Sequence, residues 1–233
     1  MRLYRANMDH LAFLVLSCLC FTFSSCKKKW QETAKVNFQF SFVQPAATDH
    51  VFFNSGSIFL SRVSFSGKRT QADDVSFTNY PAKTVNFSSY SGAPAISYDI
   101  PQGTYSTVNM DFELGKDNLG NCIILTGNYN SPNPHVGIVP IRFEFNAGQV
   151  LSASAQNASG GSEVSLSKSN TTSVSVILNP VFWFASITPS TLDSAPQTNV
   201  GGQLTLVINP ASNLNIYNNI LSRIGQGTKL VFN

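Results

Sequence analysis

Thiol, imidazole and thioether groups offer the most reactive chemistry in this sequence, and they are few. Beyond residue 26 the chain has two histidines, His50 and His135, and one cysteine, Cys122. Together with Met110, these side chains are the candidate ligands for a soft metal such as copper. The sequence has no H-E-x-x-H motif, no C-x-x-C motif and no histidine pair at ligand spacing. It therefore favours a buried Cys122 and a surface-loop His135, and a periplasmic metal-binding protein stays the alternative.

Carboxylates are the second group that could do chemistry. Asp111 and Glu113 would share one face of a strand, and Asp117 could reach them from the following turn. Such oxygens suit a hard cation such as calcium, and a carboxylate pair also suits a hydrolase. Residues 117–121 lack the ligand spacing of a calcium-binding loop, and no G-x-S-x-G motif marks a nucleophilic serine. A solvated sheet face is the favoured interpretation, with no catalytic residue assigned, and a carboxylate-based hydrolase is the third functional hypothesis.

The N-terminal leader has the clearest pattern in the chain. Arg2 and Arg5 precede an almost unbroken apolar run over residues 11–23. As a helix this run would span roughly 20 Å, which is less than the ~30 Å hydrocarbon core of a bilayer. The pattern therefore predicts a cleaved export signal rather than a membrane-spanning anchor.

A small-residue pair, Ser24 and Ser25, stands directly before Cys26. This arrangement resembles the lipobox of bacterial lipoproteins. The resemblance implies that residues 1–25 are removed as a signal peptide and that Cys26 then carries the lipid. Cys18 is a formal competitor, but it would leave an apolar segment that is too short.

Length and charge limit what the rest of the chain can be. Residues 26–34 would form the lipidated N-terminus and tether, and residues 35–233 are long enough for one domain with a sizeable core. Five of the 15 Lys and Arg and one of the 12 Asp and Glu lie in residues 1–29, so ten basic residues face eleven acidic ones in the remainder. This balance offers no electrostatic case for nucleic acid as a partner.

Short stretches of alternating apolar and polar residues predict β-strands, most clearly over residues 36–42 and 107–114. A turn at residues 54–56 is predicted to join strands over residues 50–53 and 57–65 as a hairpin. The joints between strands are rich in Asn, Ser, Gly and Pro. This pattern predicts a mainly β fold, an antiparallel Ig-like or transthyretin-like β-sandwich.

The last quarter of the chain changes character and predicts helical segments. Asn179-Pro180 and Asn209-Pro210 each place an N-cap residue before a proline suited to the first helical position. The first pair opens a brief turn that Pro189 stops. The second opens the one C-terminal helix, predicted over residues 210–224 and ended by Gly225.

Two motifs carry a resemblance to a known group. They are the I-P-Q-G-T-Y turn of residues 100–105 and the F-E-L-G-K-D strand end of residues 112–117. With the lipobox, they resemble small Gram-negative lipoproteins of β-sandwich type, a group that includes MbnP-like copper-binding domains. The tryptophan-rich segment that accompanies copper in those domains is missing, because the chain has only Trp30 and Trp183. The resemblance therefore implies the fold, and copper is not carried over.

These observations favour a non-catalytic bacterial envelope lipoprotein that acts as a binding or structural module. The lipid on Cys26 would attach it to a membrane, its expected partner is an envelope protein or a glycan, and no cofactor is expected. Lys27 stands where an inner-membrane retention signal would place an aspartate, so we expect sorting to the outer membrane. Residues 27–31 hold three lysines and no acidic cluster, so the periplasmic face is favoured over the cell surface.

Overall fold

A computed structural model describes residues 30–43, 45–46, 49–88 and 96–233 of the chain. The predicted signal peptide and Cys26 lie outside these residues. Within them, no helix is both long enough and apolar enough to cross a membrane. The first strand starts at Thr33, two residues before the predicted domain boundary.

The described residues form a mainly β structure, which confirms the prediction from alternating residues. The strands, in chain order, are β1 (Thr33–Phe42), β2 (Val51–Arg69), β3 (Val75–Asn79), β4 (Lys83–Ser88), β5 (Ile96–Pro101), β6 (Gly103–Leu114), β7 (Ile123–Asn130), β8 (Ile138–Phe145), β9 (Val150–Asn157), β10 (Val164–Leu166), β11 (Thr172–Leu178), β12 (Thr198–Val200), β13 (Gln203–Ile208) and β14 (Lys229–Phe232).

The 19-residue strand β2 is the centre of the sheet. Both β6 and β7 pair with β2 in antiparallel fashion. The N–H of Phe59 donates to the carbonyl oxygen of Cys122, just before β7, and the carbonyl oxygen of Phe59 accepts from the N–H of Gly115, just after β6. Since both groups of one strand residue point to the same edge, β6 and β7 follow one another along one edge of β2. β3 and β4 occupy the other edge, while β9 and β8 pair with the far edges of β6 and β7.

Among the described strands, three pairs are parallel, namely β1 with β11, β13 with β8, and β14 with β9. Successive hydrogen-bonded strands connect in the path β12-β13-β8-β7-β2-β6-β9-β14-β11-β1-β5, in which β7 and β6 share one edge of β2. The prediction of an antiparallel sheet is therefore wrong for these pairs. Parallel pairing needs a long connection between strands, and the alternation of residues within a strand does not report which distant strand it will join.

Aromatic side chains fill the space between the central strands and the β14-β11-β1-β5 part of the sheet. Phe38 and Phe40 of β1 reach Phe112 of β6, with ring centroids 6.4 and 5.5 Å apart. Phe42 lies 4.9 Å from Phe87 of β4. All five rings are buried, so the two parts of the sheet are held together by a shared aromatic core.

Three short helices occur in the described residues, α1 (Pro180–Phe184), α2 (Pro189–Asp193) and α3 (Leu214–Leu221). Asn179 caps α1 as predicted, because its side-chain oxygen accepts a hydrogen bond from the Phe182 N–H at 3.0 Å. The first helical segment ends before Pro189, as predicted, and this proline also begins α2, with Thr188 as the N-cap residue.

The predicted C-terminal helix is present but shorter than residues 210–224. The Asn209 side-chain oxygen accepts hydrogen bonds from the backbone N–H groups of Ala211 and Ser212. Asn209 therefore closes a turn and does not cap the helix. Asn213, with a φ of 57°, stands before α3 instead.

The predicted hairpin at residues 54–56 is wrong, because these residues lie inside β2. Ser55 and Gly56 pair with β4 on one side and β7 on the other. A register shift between Phe53 and Ser55 marks a bulge in the strand. Gly56 serves a close approach rather than a turn, since a Cβ there would lie 2.8 Å from the Leu125 side chain.

Candidate functional site

The three candidate carboxylates occupy β6 and the turn after it, and each has its own partner. Asp111 accepts a hydrogen bond from the Ser152 hydroxyl at 2.6 Å, and Glu113 forms an ion pair with Arg62 at 2.6 Å. Asp117 accepts from two backbone N–H groups of its own loop, each at 2.9 Å. In this arrangement the carboxylates support strand pairing and loop closure.

The four candidate metal ligands lie in different parts of the fold. Met110 and Cys122 are buried in the core, while His50 precedes β2 and His135 is exposed in the loop after β7. Burial raises the pKa of the Cys122 thiol, against the opposing effect of the Lys116 charge. The thiolate, which is the metal-binding form, is therefore disfavoured. Among the described residues, no three His, Cys, Asp or Glu side chains are grouped so that they could hold a metal ion.

His50 lies in a cleft of about 380 Å³ next to α1 and α2. The cleft is lined by Asp49, His50, Val51, Val181, Phe184, Ala185, Ile187, Thr188, Pro189 and Leu192. The fully buried Tyr129 of β7 fixes α2 beside it, because its hydroxyl donates to the Asp193 carboxylate at 2.6 Å. Burial and this hydrogen bond raise the pKa of Tyr129 to about 12. The tyrosine therefore acts here as a neutral structural donor.

A larger cleft of about 630 Å³ lies where the loops around β10 meet the end of β14, and we call it the polar cleft. It is lined by Asn157, Ala158, Ser159, Val164, Ser165, Ser167, Asn170, Thr171, Thr172, Phe232 and Asn233. None of these described lining residues is charged. Eight of the eleven side chains are hydroxyls or amides, which can both donate and accept hydrogen bonds.

One wall of the polar cleft is fixed by the side chain of Asn157. Its oxygen accepts from the backbone N–H groups of Ser159 and Gly161, at 3.1 and 2.8 Å, and its nitrogen donates to the Glu163 carbonyl at 3.1 Å. The loop between β9 and β10 is therefore held in one conformation. On the other wall, Asn170 and Thr171 are exposed to solvent, so their side chains are available to a ligand.

The polar cleft is not among the sites that the sequence predicts. Ser, Thr and Asn are abundant throughout the chain, so their presence in residues 157–172 does not distinguish this region. The uninterrupted polar run over residues 167–173 is the one local signal that could have pointed to it. The contribution of Phe232 and Asn233 could not be foreseen, because it depends on where β14 joins the sheet.

No protein-family model matches this chain, and no curated protein matches it. A crystal structure of (S)-allantoin synthase is similar over 65% of this chain and 42% of that chain, with 10% sequence identity and a TM-score of 0.22. The chain thus spans less than half the length of that structure. A similarity at this TM-score shows neither a shared fold nor a shared function. The class that the structure defines is a mainly β protein with a large mixed sheet.

Proposed function

We propose that this protein is a non-catalytic bacterial envelope lipoprotein that binds a glycan in the polar cleft. The observation that carries this proposal is the chemistry of the lining, in which hydroxyl and amide side chains surround a volume of about 630 Å³. The lipid on Cys26 would hold the domain at the periplasmic face of the outer membrane. The leader sequence and the lysines at residues 27–29 support this location.

A saccharide suits this lining better than other classes of ligand. Sugar hydroxyls both donate and accept hydrogen bonds, as do the Ser, Thr and Asn groups of the cleft. A phosphate or carboxylate ligand would call for Arg or Lys in the lining, and a drug-like apolar ligand would call for a hydrophobic pocket. Ala158, Val164 and Phe232 are the apolar residues of this lining, and Val164 and Phe232 are themselves buried.

The finer fold in this proposal is an Ig-like sandwich whose layers meet at the aromatic core. The hydroxyl of Tyr105, close to the start of β6, donates to the carbonyl oxygen of Pro101 at 2.5 Å. A tyrosine that bonds to the backbone a few residues upstream, at a corner between strands, is typical of Ig-like sandwiches. The parallel pairs described above are the departures from that pattern.

The glycan proposal is tested with the purified full-length mature protein in detergent. Binding is measured to an array of neutral oligosaccharides and to peptidoglycan sacculi. We expect the double variant Asn170→Ala, Thr171→Ala to bind at least tenfold more weakly, because two lost hydrogen bonds of about 1 kcal/mol each exceed a tenfold change in affinity.

The matched control is the double variant Thr84→Ala, Asn86→Ala, which removes the same two groups from exposed positions of β4. It should bind like the parent protein. If the parent binds no saccharide, or if both double variants lose affinity equally, the polar cleft is not a glycan site.

A further inference from the structure

The first residues that the structure describes are bound to the body of the domain. Arg69 Nη1 donates to the Trp30 carbonyl oxygen at 2.7 Å, and the Gln102 backbone N–H donates to the Glu32 carbonyl oxygen at 2.8 Å. The Glu32 carboxylate also accepts from the Gln102 side chain at 3.1 Å and from Lys168 Nζ at 2.7 Å. We call these five residues the N-terminal clamp.

The clamp is a connected and partly buried network. Gln102 is only 7% exposed, and its side-chain oxygen accepts from the Lys168 backbone N–H at 3.2 Å. Arg69 donates to the carbonyl oxygens of Gln102 and Asp73 as well, at 3.1 and 2.8 Å. A Cβ on Gly103 would lie 3.0 Å from Cδ of Arg69, so glycine leaves room for the guanidinium side chain. Because several loops share these bonds, moving the N-terminal segment would break several of them together.

Only three residues separate Cys26 from Trp30. A fully extended chain advances at most about 3.6 Å per residue, so Trp30 can lie no farther than ~14 Å from Cys26. We infer that one end of the domain rests on the membrane surface to which Cys26 is attached. This end consists of the loops at residues 69–74, 101–104 and 167–171, and we call it the clamp end. The inference rests on the proposed lipidation of Cys26.

The partner of the clamp end is the lipid headgroup layer, and the short tether rather than charge keeps it there. Arg69 and Lys168 contribute positive charge to this end, while Asp73 and Asp74 contribute negative charge. Attraction of the domain itself to anionic lipid is therefore small, and salt should not release it. Ser167 and Asn170 line the polar cleft as well as belonging to the clamp end, so the cleft opens close to the membrane.

The opposite end of the domain lies at the other end of β2. A strand of 19 residues has a contour of ~60 Å, at about 3.3 Å per residue. The loop at residues 131–137 is at that far end, since the N–H of Asn130 donates to the carbonyl oxygen of His50 just before β2. His135 in this loop is exposed. The two ends therefore differ greatly in their expected distance from the lipid.

Two variants of the full lipidated protein, each with one added exposed cysteine, test the orientation. Ser169→Cys marks the clamp end and His135→Cys marks the far end, both at exposed positions. Each is labelled with a fluorophore and reconstituted into phosphatidylethanolamine–phosphatidylglycerol vesicles that contain a headgroup spin-labelled lipid. We expect at least threefold stronger quenching at position 169 than at position 135. The parent protein gives the background, because its Cys122 is 1% exposed.

A second arm lengthens the tether. Ten Gly and Ser residues inserted between Lys29 and Trp30 leave the lipid and the clamp in place but extend the reach of the flexible segment. Quenching at position 169 should then fall towards the value at position 135.

The two proposals fail in different ways. Equal quenching at both positions, in a protein that floats with the vesicles, overturns the orientation and leaves lipidation intact. Unchanged quenching in the longer-tether variant overturns the tether as its cause. A protein that does not float with vesicles, or that floats equally well as Cys26→Ser, overturns the proposed lipidation and the orientation together.

Discussion

Three tyrosines illustrate how differently one kind of hydroxyl group is accommodated in this fold. Tyr105 donates to a backbone carbonyl, and Tyr129 donates to the Asp193 carboxylate. The ring of Tyr98 packs against Phe38 at 5.9 Å, but its buried hydroxyl has no hydrogen-bond partner among the described residues. A buried hydroxyl without a partner destabilises the folded state, whereas a buried hydroxyl with a partner stabilises it.

The first prediction compares two Tyr→Phe substitutions. Tyr98→Phe should leave the free energy of unfolding unchanged or raise it by up to ~1 kcal/mol, because it removes an unpaired polar group. Tyr129→Phe should lower it by about 1.5–3 kcal/mol, because a bond to a charged acceptor is lost. Urea denaturation of both variants and the parent measures this. A loss for Tyr98→Phe as large as that for Tyr129→Phe would show that the Tyr98 hydroxyl has a partner.

The second prediction concerns stability at alkaline pH. Burial raises the pKa of both Tyr105 and Tyr129 from an ordinary value of 10.0 to about 12. Since the folded state prefers the neutral phenol, their contribution to stability is fully present below pH ~10 and is lost as the pH rises towards ~12. The thermal midpoint should fall across this window, and less steeply in Tyr129→Phe. A midpoint that is flat from pH 10 to pH 12 would contradict the pKa directions.

At the scale of the element, alternation predicts strands and their faces but not their continuity. Val108, Met110 and Phe112 of β6 are buried and Asn109 and Asp111 are exposed, as the pattern of the sequence predicts. In β2 the same reasoning fails, because an Asn-Ser-Gly stretch has the composition of a turn. A strand that is paired along both edges can carry these residues through a bulge, and its partners lie far away in sequence.

The third prediction tests the close approach of backbones that the bulge in β2 creates. A Cβ on Gly127 of β7 would lie 1.9 Å from the Phe52 carbonyl oxygen and 2.7 Å from the Phe53 Cα. Because these are backbone atoms, Gly127→Ala should force the two strands apart and destabilise the protein by at least ~2 kcal/mol.

Gly148 is the matched control for Gly127. The nearest atom to a Cβ there is the Leu114 carbonyl oxygen at 4.0 Å. Gly148→Ala should therefore change stability by no more than ~1 kcal/mol in either direction. Denaturation curves in which the two alanine variants coincide would mean that β2 and β7 can separate at this point without cost.

At the scale of the whole molecule, the order of strands in the sheet is what the sequence could not predict. The last strand, β14, does not lie at an edge but between β9 and β11, parallel to the first and antiparallel to the second. It thereby joins the central strands to the β11-β1-β5 part of the sheet. The polar cleft and the clamp both depend on this order, since they are assembled from segments far apart in the chain. Residue types in any one of those segments are too ordinary to mark a site.

The last prediction follows from the position of β14. Removing residues 229–233 should abolish cooperative folding, because it leaves the facing edges of β9 and β11 unpaired and takes the buried Leu230 and Phe232 from the core.

The control, Lys229→Ala with Asn233→Ala, alters two exposed side chains and keeps the strand. Circular dichroism and a urea titration of the three proteins provide the measurement. The control should unfold in one transition like the parent, and the truncated chain should show none. A truncated protein with a normal cooperative transition would mean that the two parts of the sheet associate through their aromatic core alone, without the strand between them.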